Sequence, residues 1–415
     1  MASDVEWKEV SLGEVIELKR GYDLPKDKRI PGSIPIVSSS GVSDFHAEAM
    51  VKGPGVVTGR YGTIGEVFFI NEDYWPLNTT LYVRDFKGND PRFISYFLKT
   101  LDFQAYSDKG AVPGLNRNHL HLAKVRLPGK SAQRSIARIL SSLDSKIDLN
   151  RRINQTLEAM AQATFKSWFV DFDPVKTKIA ALAEGRDPLR AAMSAISGKA
   201  EAELDALPPE AYEQLAATAA LFPDEMKDSE LGEIPKGWAV QRVGGVLELA
   251  YGKALKSTDR QEGNVPVYGS GGVTGYHNMP LVPNGSIIVG RKGTVGSLYW
   301  EDKPFFPIDT TYYVRPLAAP LTFCYYAMQT LGLEKMNTDA AVPGLNRENV
   351  YRLELVLPDA AALQQFDTQV VTLRKAMRTN LESSSSLADL RDTLLPKLLS
   401  GELPVEALAE SAGAA

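Results

Sequence analysis

The sequence predicts an α+β chain of two tandem β-rich α/β modules. A long helix follows each module, and the two helices pack as an antiparallel coiled coil about a pseudo-twofold axis. Three observations carry this expectation. A set of short motifs occurs twice at an offset of 231 or 230 residues, a heptad seam follows each copy, and the repeated residues are those of turns and short strands.

The repeat begins with Trp7, which returns as Trp238. Ile34-Pro35-Ile36-Val37-Ser38-Ser39-Ser40-Gly41-Val42 returns as Val265-Pro266-Val267-Tyr268-Gly269-Ser270-Gly271-Gly272-Val273. Gly59-Arg60-Tyr61-Gly62-Thr63-Ile64-Gly65 returns as Gly290-Arg291-Lys292-Gly293-Thr294-Val295-Gly296. Pro76 to Arg84 matches Pro307 to Arg315, and the seven residues Ala111 to Arg117 return unchanged as Ala341 to Arg347. The period is too long for a solenoid, so it describes two related domains, residues 1–130 and 231–360.

After each module the apolar spacing alternates four and three. The first seam runs Ile136, Leu140, Leu143, Ile147, Asn150, Asn154, Leu157, Ala161, Thr164, Trp168, within residues 131–174. The second runs Phe366, Val370, Leu373, Met377, Asn380, Ser384, Leu387, Arg391, Leu394, Leu398, within 361–402. Asn150 and Asn380 share a position, and with Asn154 they are the candidate register residues, since a polar seam residue costs stability but fixes pairing. About 33 residues at 1.5 Å each give a helix of roughly 50 Å. Pro174 is expected to end the first helix. Residues 175–230 read as an acidic helical linker broken by Pro188, Pro208-Pro209 and Pro223, and 403–415 as a flexible tail.

Composition sets outer bounds. Of 415 residues, 44% are hydrophobic and 23% charged, which excludes a disordered or collagen-like chain. The single Cys324 allows no internal disulfide and no cysteine-rich zinc site. No basic start with an apolar run follows Met1, and no apolar stretch approaches membrane-spanning length, so a soluble cytoplasmic protein is expected. The net charge of −5 argues at first against nucleic acid. By block it is +1 for 1–130, +1 for 131–174, −5 for 175–230, 0 for 231–360 and −2 for 361–415. Both modules are therefore near neutral and free to carry a basic face, with further basic surface expected from partners.

Catalytic signatures are missing from the sequence. It has no phosphate-binding Gly-x-x-x-x-Gly-Lys-Ser/Thr loop, no His-Glu-x-x-His and no Gly-x-Ser-x-Gly elbow. The Gly59, Gly62, Gly65 spacing is not the dinucleotide fingerprint, and strands rather than a helix flank it. His119 and His121 read as surface positions, so no catalytic and no metal residue is assigned. The repeated residues instead suit hydrogen bonding to bases and phosphates. The glycine-rich tips offer Arg60, Tyr61 and Thr63 in one copy and Arg291, Lys292 and Thr294 in the other. The serine-rich loops offer Ser38, Ser39, Ser40 and His46 against Tyr268, Ser270, Tyr276 and His277. Lys19, Arg20 and Tyr22 correspond to a segment with Tyr251 and Lys253. Asn116 and Arg117 recur as Asn346 and Arg347 in the unchanged motif, where a shaping role and a contact to DNA backbone are both open.

With Phe165 to Pro174, Ser229 to Trp238 and Leu398 to Leu403 added, nearly the whole chain resembles the specificity subunit of type I restriction–modification systems. The resemblance implies a non-catalytic DNA reader. Each module would be a target recognition domain for one half of a bipartite double-stranded site, with the helices as a ruler across the unread spacer. Two modification subunits with S-adenosylmethionine and two restriction subunits with ATP and Mg2+ would join it, and this chain would bind no cofactor. Two other readings stand beside it: a solitary DNA methyltransferase or nuclease, which would need an Asn/Asp-Pro-Pro-Tyr-type loop or a metal-binding carboxylate–Lys cluster, neither of which is found, or a coiled-coil scaffold for proteins alone.

Overall fold

A computed structural model of the chain describes residues 7–107, 114–337 and 344–405. The chain divides into two units, Met1–Arg152 with Asn380–Ala415, and Ile153–Thr379. Part of the seven-residue identity, 111–113 and 341–343, lies outside the described residues, as does the end of the tail.

The first unit is built on a four-stranded sheet in the order Glu17–Arg20, Thr80–Asp85, Gly55–Gly59, Val67–Ile70, antiparallel throughout. Successive residues point to opposite faces, and here both faces are covered. Val56, Leu81 and Val83 pack with Phe93, Ile94 and Phe97 of the helix Pro91–Lys99. Val57 and Tyr82 pack with Val37 and Tyr74 from the side of a three-stranded sheet, Gly41–His46, Ile34–Ser38, Trp75–Pro76. Asp90 caps the helix by accepting from the Phe93 amide at 2.9 Å, and Pro91 occupies its first turn, where no amide donor is needed. A two-stranded ribbon, Lys8–Ser11 with Lys124–Leu127, leads into the long helix Lys130–Phe169.

The second unit repeats this order. Its four-stranded sheet runs Leu247–Tyr251, Thr311–Pro316, Ser286–Gly290, Leu298–Glu301, and its three-stranded sheet Gly272–His277, Val265–Gly269, Phe306–Pro307. Even the register shift recurs, between Ile36 and Val37 in one copy and Val267 and Tyr268 in the other. The ribbon is Ala239–Arg242 with Glu354–Leu357, leading into the second long helix, Ala360–Ser400.

The two long helices pack on each other, and within each unit they run antiparallel. In the first unit Asn150 Nδ2 donates to the Asn380 carbonyl at 3.3 Å and to Ser384 Oγ at 3.2 Å, and Asp144 pairs with Arg391 at 2.8 Å. In the second, Asn154 Nδ2 donates to the Met377 carbonyl at 3.0 Å, and Glu158 pairs with Arg374 at 3.6 Å. Ile136, Leu140, Ile147, Ala161, Trp168, Phe366, Val370, Met377 and Leu398 are buried, as the seams require. At 40 and 41 residues the helices exceed the expected length.

Three sequence expectations need correcting here. Pro174 does not end the first long helix: that helix stops at Phe169, Phe172 takes a left-handed conformation (φ 57°), and Pro174 lies in the first turn of a new helix, Asp173–Ala183. Pro188 and Pro209 likewise begin the helices Pro188–Ser197 and Pro209–Ala220 instead of breaking them, because a first-turn proline gives up no hydrogen bond. These helices belong to the second unit, where Lys178 Nζ donates to the Phe222 carbonyl at 2.5 Å and its burial lowers its pKa. The described start of the tail is docked, with Val405 and Leu403 packed into the first unit's core beside Leu398 and Leu399.

Candidate nucleic-acid interface

Two motifs that are far apart in sequence meet at one corner of each module. The glycine-rich tip turns back on itself so tightly that a Cβ at Gly59 would lie 2.0 Å from the Thr63 carbonyl, and one at Gly290 2.0 Å from that of Thr294. Gly62 and Gly293 hold φ of 77° and 86°, which L side chains rarely adopt. The tip is tied to the strand behind it by Arg60 and Arg291, whose amides donate to the Thr79 and Thr310 carbonyls at 2.9 Å each. The unchanged motif is then clamped on top. The Leu115 amide donates to the Arg60 carbonyl at 2.9 Å and the Leu345 amide to that of Arg291 at 2.8 Å, with bridges between Tyr61 and Gly114 and between Lys292 and Gly344.

In the first module this clamp gathers Arg20, Arg60, Tyr61, Asn116, Arg117 and Asn118 around a cavity of about 300 Å³ floored by Leu81 and Leu115. The Arg60 guanidinium lies 4.5 Å from the Tyr61 ring centroid. Arg20 faces Asp23 at 3.9 Å across open solvent, and among the described residues no carboxylate pairs with Arg60 or Arg117. In the second module Tyr251 stands in place of Arg20. The guanidinium groups of Arg291 and Arg347 lie 5.0 and 4.8 Å from its ring centroid. Arg291 also donates to the Asp309 carbonyl at 3.1 Å, and Arg347 pairs with Glu348 at 3.3 Å.

Asn116 and Asn346 have a shaping role. Each caps a short helix by accepting from the amide two residues on, Asn118 at 3.0 Å and Glu348 at 2.8 Å, and so sets where Arg117 and Arg347 begin. Beneath them His121 Nε2 accepts from the Leu18 amide at 3.0 Å, a role taken by the Tyr351 hydroxyl toward Leu249 at 2.8 Å. Burial, and then the charge of Arg117, lower the His121 pKa and keep the ring neutral. His121 is therefore part of the frame, and His119 is exposed; among the described residues no group of His, Cys, Asp and Glu could hold a metal ion.

The serine-rich loops lie beside the tips. Ser270 Oγ accepts from the Thr294 amide at 3.3 Å, its carbonyl accepts from Ser297 Oγ at 2.6 Å, and Ser39 Oγ lies near Gly62. Ser38 Oγ donates to the Gly41 carbonyl at 3.0 Å and contacts Ser40 Oγ, holding the turn closed. Thr63, Thr294, Lys292 and Ser40 are exposed at the tips and turn. Lys19 reaches the Tyr22 hydroxyl at 3.5 Å, and Tyr22 bonds Tyr82 at 3.0 Å, which pulls the Tyr22 pKa down. Lys253, the counterpart of Tyr22, is exposed.

Three assigned residues each commit a polar atom to the fold. His46 is only 3% exposed, with Nδ1 accepting from the Ile30 amide at 3.0 Å and its ring edge-on to Trp75. His277 Nδ1 likewise accepts from the Gln261 amide at 3.0 Å and its ring meets Phe306 edge-on, so both histidines pin a loop to a strand. Tyr268 is buried and donates to Glu301 at 2.8 Å, and burial raises its pKa. Tyr276, by contrast, is exposed, and the same strand position in the first copy exposes Phe45, as Val42 and Val273 are both exposed. Sequence reasoning misses Phe45 because it is not a polar residue, although the offset of 231 pairs it with Tyr276. It misses Asn118 because that residue lies just beyond the repeated seven.

Comparison with known proteins agrees with this arrangement. The model of the type I restriction modification DNA specificity domain matches residues 4–159 and again 235–382. The chain is 28% identical to the specificity subunit of the type I restriction enzyme HindI of Haemophilus influenzae, over 96% of this chain and all of that one. It is 23% identical to the corresponding MjaIX subunit of Methanocaldococcus jannaschii, over 90% of this chain and 82% of that one. In fold it is similar to the crystal structure of a type I restriction–modification S subunit from M. genitalium, with a TM-score of 0.59 at 18% identity, covering 96% of this chain and 97% of that one. On the two domain matches, which lie over the two copies of the same fold, the chain belongs to the type I restriction–modification specificity family, with two tandem recognition domains.

Proposed function

We propose that this chain is the non-catalytic subunit that gives a type I restriction–modification complex its DNA sequence specificity. Each module reads one half of a bipartite duplex site, and the paired long helices serve as the ruler between them. The observation that carries this reading is the corner built twice, where the same two motifs bring arginines to an exposed surface beside aromatic and amide side chains. Arginine pairs bidentately with guanine or with phosphate, and asparagine and tyrosine hydrogen-bond to either. The modules differ at the corner positions, Arg20 against Tyr251 and Tyr61 against Lys292, and share most of the framing ones, as expected if the half-sites differ. Two modification subunits bring S-adenosylmethionine and the methyl-transfer chemistry, and two restriction subunits bring ATP, Mg2+ and cleavage; this chain binds none of these.

The test is footprinting of the chain assembled with its modification subunit on a duplex carrying the target, located beforehand by mapping methylated adenines in the host genome. Two protected blocks with an unread gap are expected. One continuous short block refutes the bipartite reading. Arg60→Ala combined with Arg291→Ala should weaken binding and reduce its salt dependence; unchanged DNA affinity would favour a scaffold that binds proteins alone.

A further inference from the structure

The two corners are the same in backbone and different in chemistry. In the first module three guanidinium groups, Arg20, Arg60 and Arg117, line one cavity, with the Asn118 amide as a fourth polar wall and Leu81 and Leu115 beneath. Neither Arg60 nor Arg117 has a carboxylate partner among the described residues, and the Asp23 near Arg20 is exposed at 3.9 Å. Three cations that share one exposed carboxylate at 3.9 Å over an apolar floor repel one another, and an anion entering the cavity relieves that repulsion. In the second module the ring of Tyr251 takes up both arginines at 5.0 and 4.8 Å, and Glu348, at the place of Asn118, neutralises Arg347 at 3.3 Å. Arg291 keeps its charge, stacked on that ring and donating to the Asp309 carbonyl at 3.1 Å, and Lys292 is exposed on the tip. Tyr251 itself is 45% exposed, so its ring has area left for a ligand.

We propose that the first module's cavity is a phosphodiester pocket and that its counterpart in the second module is closed to phosphate by Tyr251. The first module is then anchored to the DNA backbone at this corner, while the second presents a ring with two arginines packed against it. This rests on the DNA-reading function proposed above and assigns each corner its own part in it. Position 20/251 decides which part a module takes.

The exchange of those two residues is the natural experiment, because each module already folds around the residue the other would receive. The full chain assembled with its modification subunit is titrated with its target duplex and with an unrelated duplex between 50 and 200 mM salt. For Arg20→Tyr, the slope of log affinity against log salt should fall by about 0.9, one phosphate contact. Binding to both duplexes should weaken together. For Tyr251→Arg the slope should rise by about the same amount, so that affinity falls about threefold more over that salt range than in the unaltered chain. If Arg20→Tyr leaves slope and affinity unchanged, or keeps the slope and loses discrimination in one half-site only, the phosphate pocket is refuted while DNA reading stands. If the unaltered complex does not distinguish target from unrelated duplex, the failure lies with the proposed function itself.

Discussion

Asp144 ties three elements together, and removing it should cost more than removing its ionic partner. Its carboxylate accepts from the Tyr96 hydroxyl at 2.5 Å and pairs with Arg391 at 2.8 Å, with Asp144 and Arg391 side chains both 27% exposed. Two unit charges about 4 Å apart at an effective dielectric constant near 20 attract by about 4 kcal/mol, and desolvation and side-chain ordering cancel most of this. A net coupling of about 1 kcal/mol should remain. Asp144→Ala also strands the buried Tyr96 hydroxyl, worth about 1–3 kcal/mol, so its total cost should be about 3 kcal/mol. Arg391→Ala leaves Asp144 with Tyr96 and should cost about half as much. The exposed Asp148–Arg151 pair, at 3.2 Å, should show a coupling below about 0.5 kcal/mol. Urea-dependent hydrogen exchange of the amides over residues 136–150 measures both cycles locally. Equal costs for Asp144→Ala and Arg391→Ala, or equal couplings in the two cycles, would refute the reasoning.

Three further outcomes are expected. Asn150→Leu removes two hydrogen bonds worth about 1 kcal/mol each and buries an apolar side chain worth about 1.5–3 kcal/mol, while the Asn380 carbonyl keeps the Ser384 hydroxyl at 2.8 Å. The melting temperature followed by circular dichroism should therefore hold or rise, and a fall of more than about 5 °C contradicts this. Because His121 has a lowered pKa, the unfolded chain takes up its proton first; the first unit is fully stabilised above about 6.5 and loses stability as pH falls through that value toward the folded pKa. His121→Tyr, the residue at the equivalent place in the second copy, should abolish that part of the pH dependence in urea titrations. Cys324 is buried and its thiol pushed up to about 12, so a thiol reagent at pH 8 should label it only on unfolding; labelling of the native chain at the unfolded rate would contradict its burial.

The sequence made the architecture legible because duplication writes most framing residues twice; His121, replaced by Tyr351, is an exception. A Gly59 that cannot carry a Cβ must recur as Gly290, and a buried seam must recur at the same spacing. Side-chain direction was not legible. His46 and Tyr268 look like ligands in a polar loop, yet the register shift at Ile36/Val37 and Val267/Tyr268 decides which residues of these strands face inward. The meeting of Arg60 with Arg117 was equally hidden, since it depends on a bridge between Tyr61 and Gly114 that no local pattern announces. Pro174 and Pro209 mislead for a physical reason as well: proline forbids a helix interior but favours a first turn, and only the preceding residues' conformation tells which applies.

The charges on the long helices favour pairing between the two helices of one chain over pairing of either with a copy of itself. At the offset of 230, Arg374 stands where the first helix has Asp144. In the observed pairing Asp144 faces Arg391 and Glu158 faces Arg374. A pair of two first helices from different chains would set Glu158 against Asp144, and a pair of two second helices would set Arg374 against Arg391, twice in each case. Like charges in a partly buried seam repel by on the order of 1 kcal/mol per contact, so the four contacts of an exchanged dimer disfavour it strongly. The double variant Asp144→Arg with Arg391→Asp keeps an ion pair between these two positions, while it loses the Arg391–Asp392 pair at 2.7 Å and the carboxylate that accepts from Tyr96. It also turns all four contacts of the exchanged dimer into attractions, because Glu158 then meets a guanidinium at position 144 and Arg374 meets a carboxylate at position 391. Sedimentation velocity at matched concentration should show more dimer for this variant than for the unaltered chain. The single variant Asp144→Arg, which loses the intrachain pair and gains only the first-helix attraction, should fall below the double variant in thermal stability. If the double variant sediments as the unaltered chain does, charge is not what selects the partner, and the selection must rest on the asparagines and the packing of the seam.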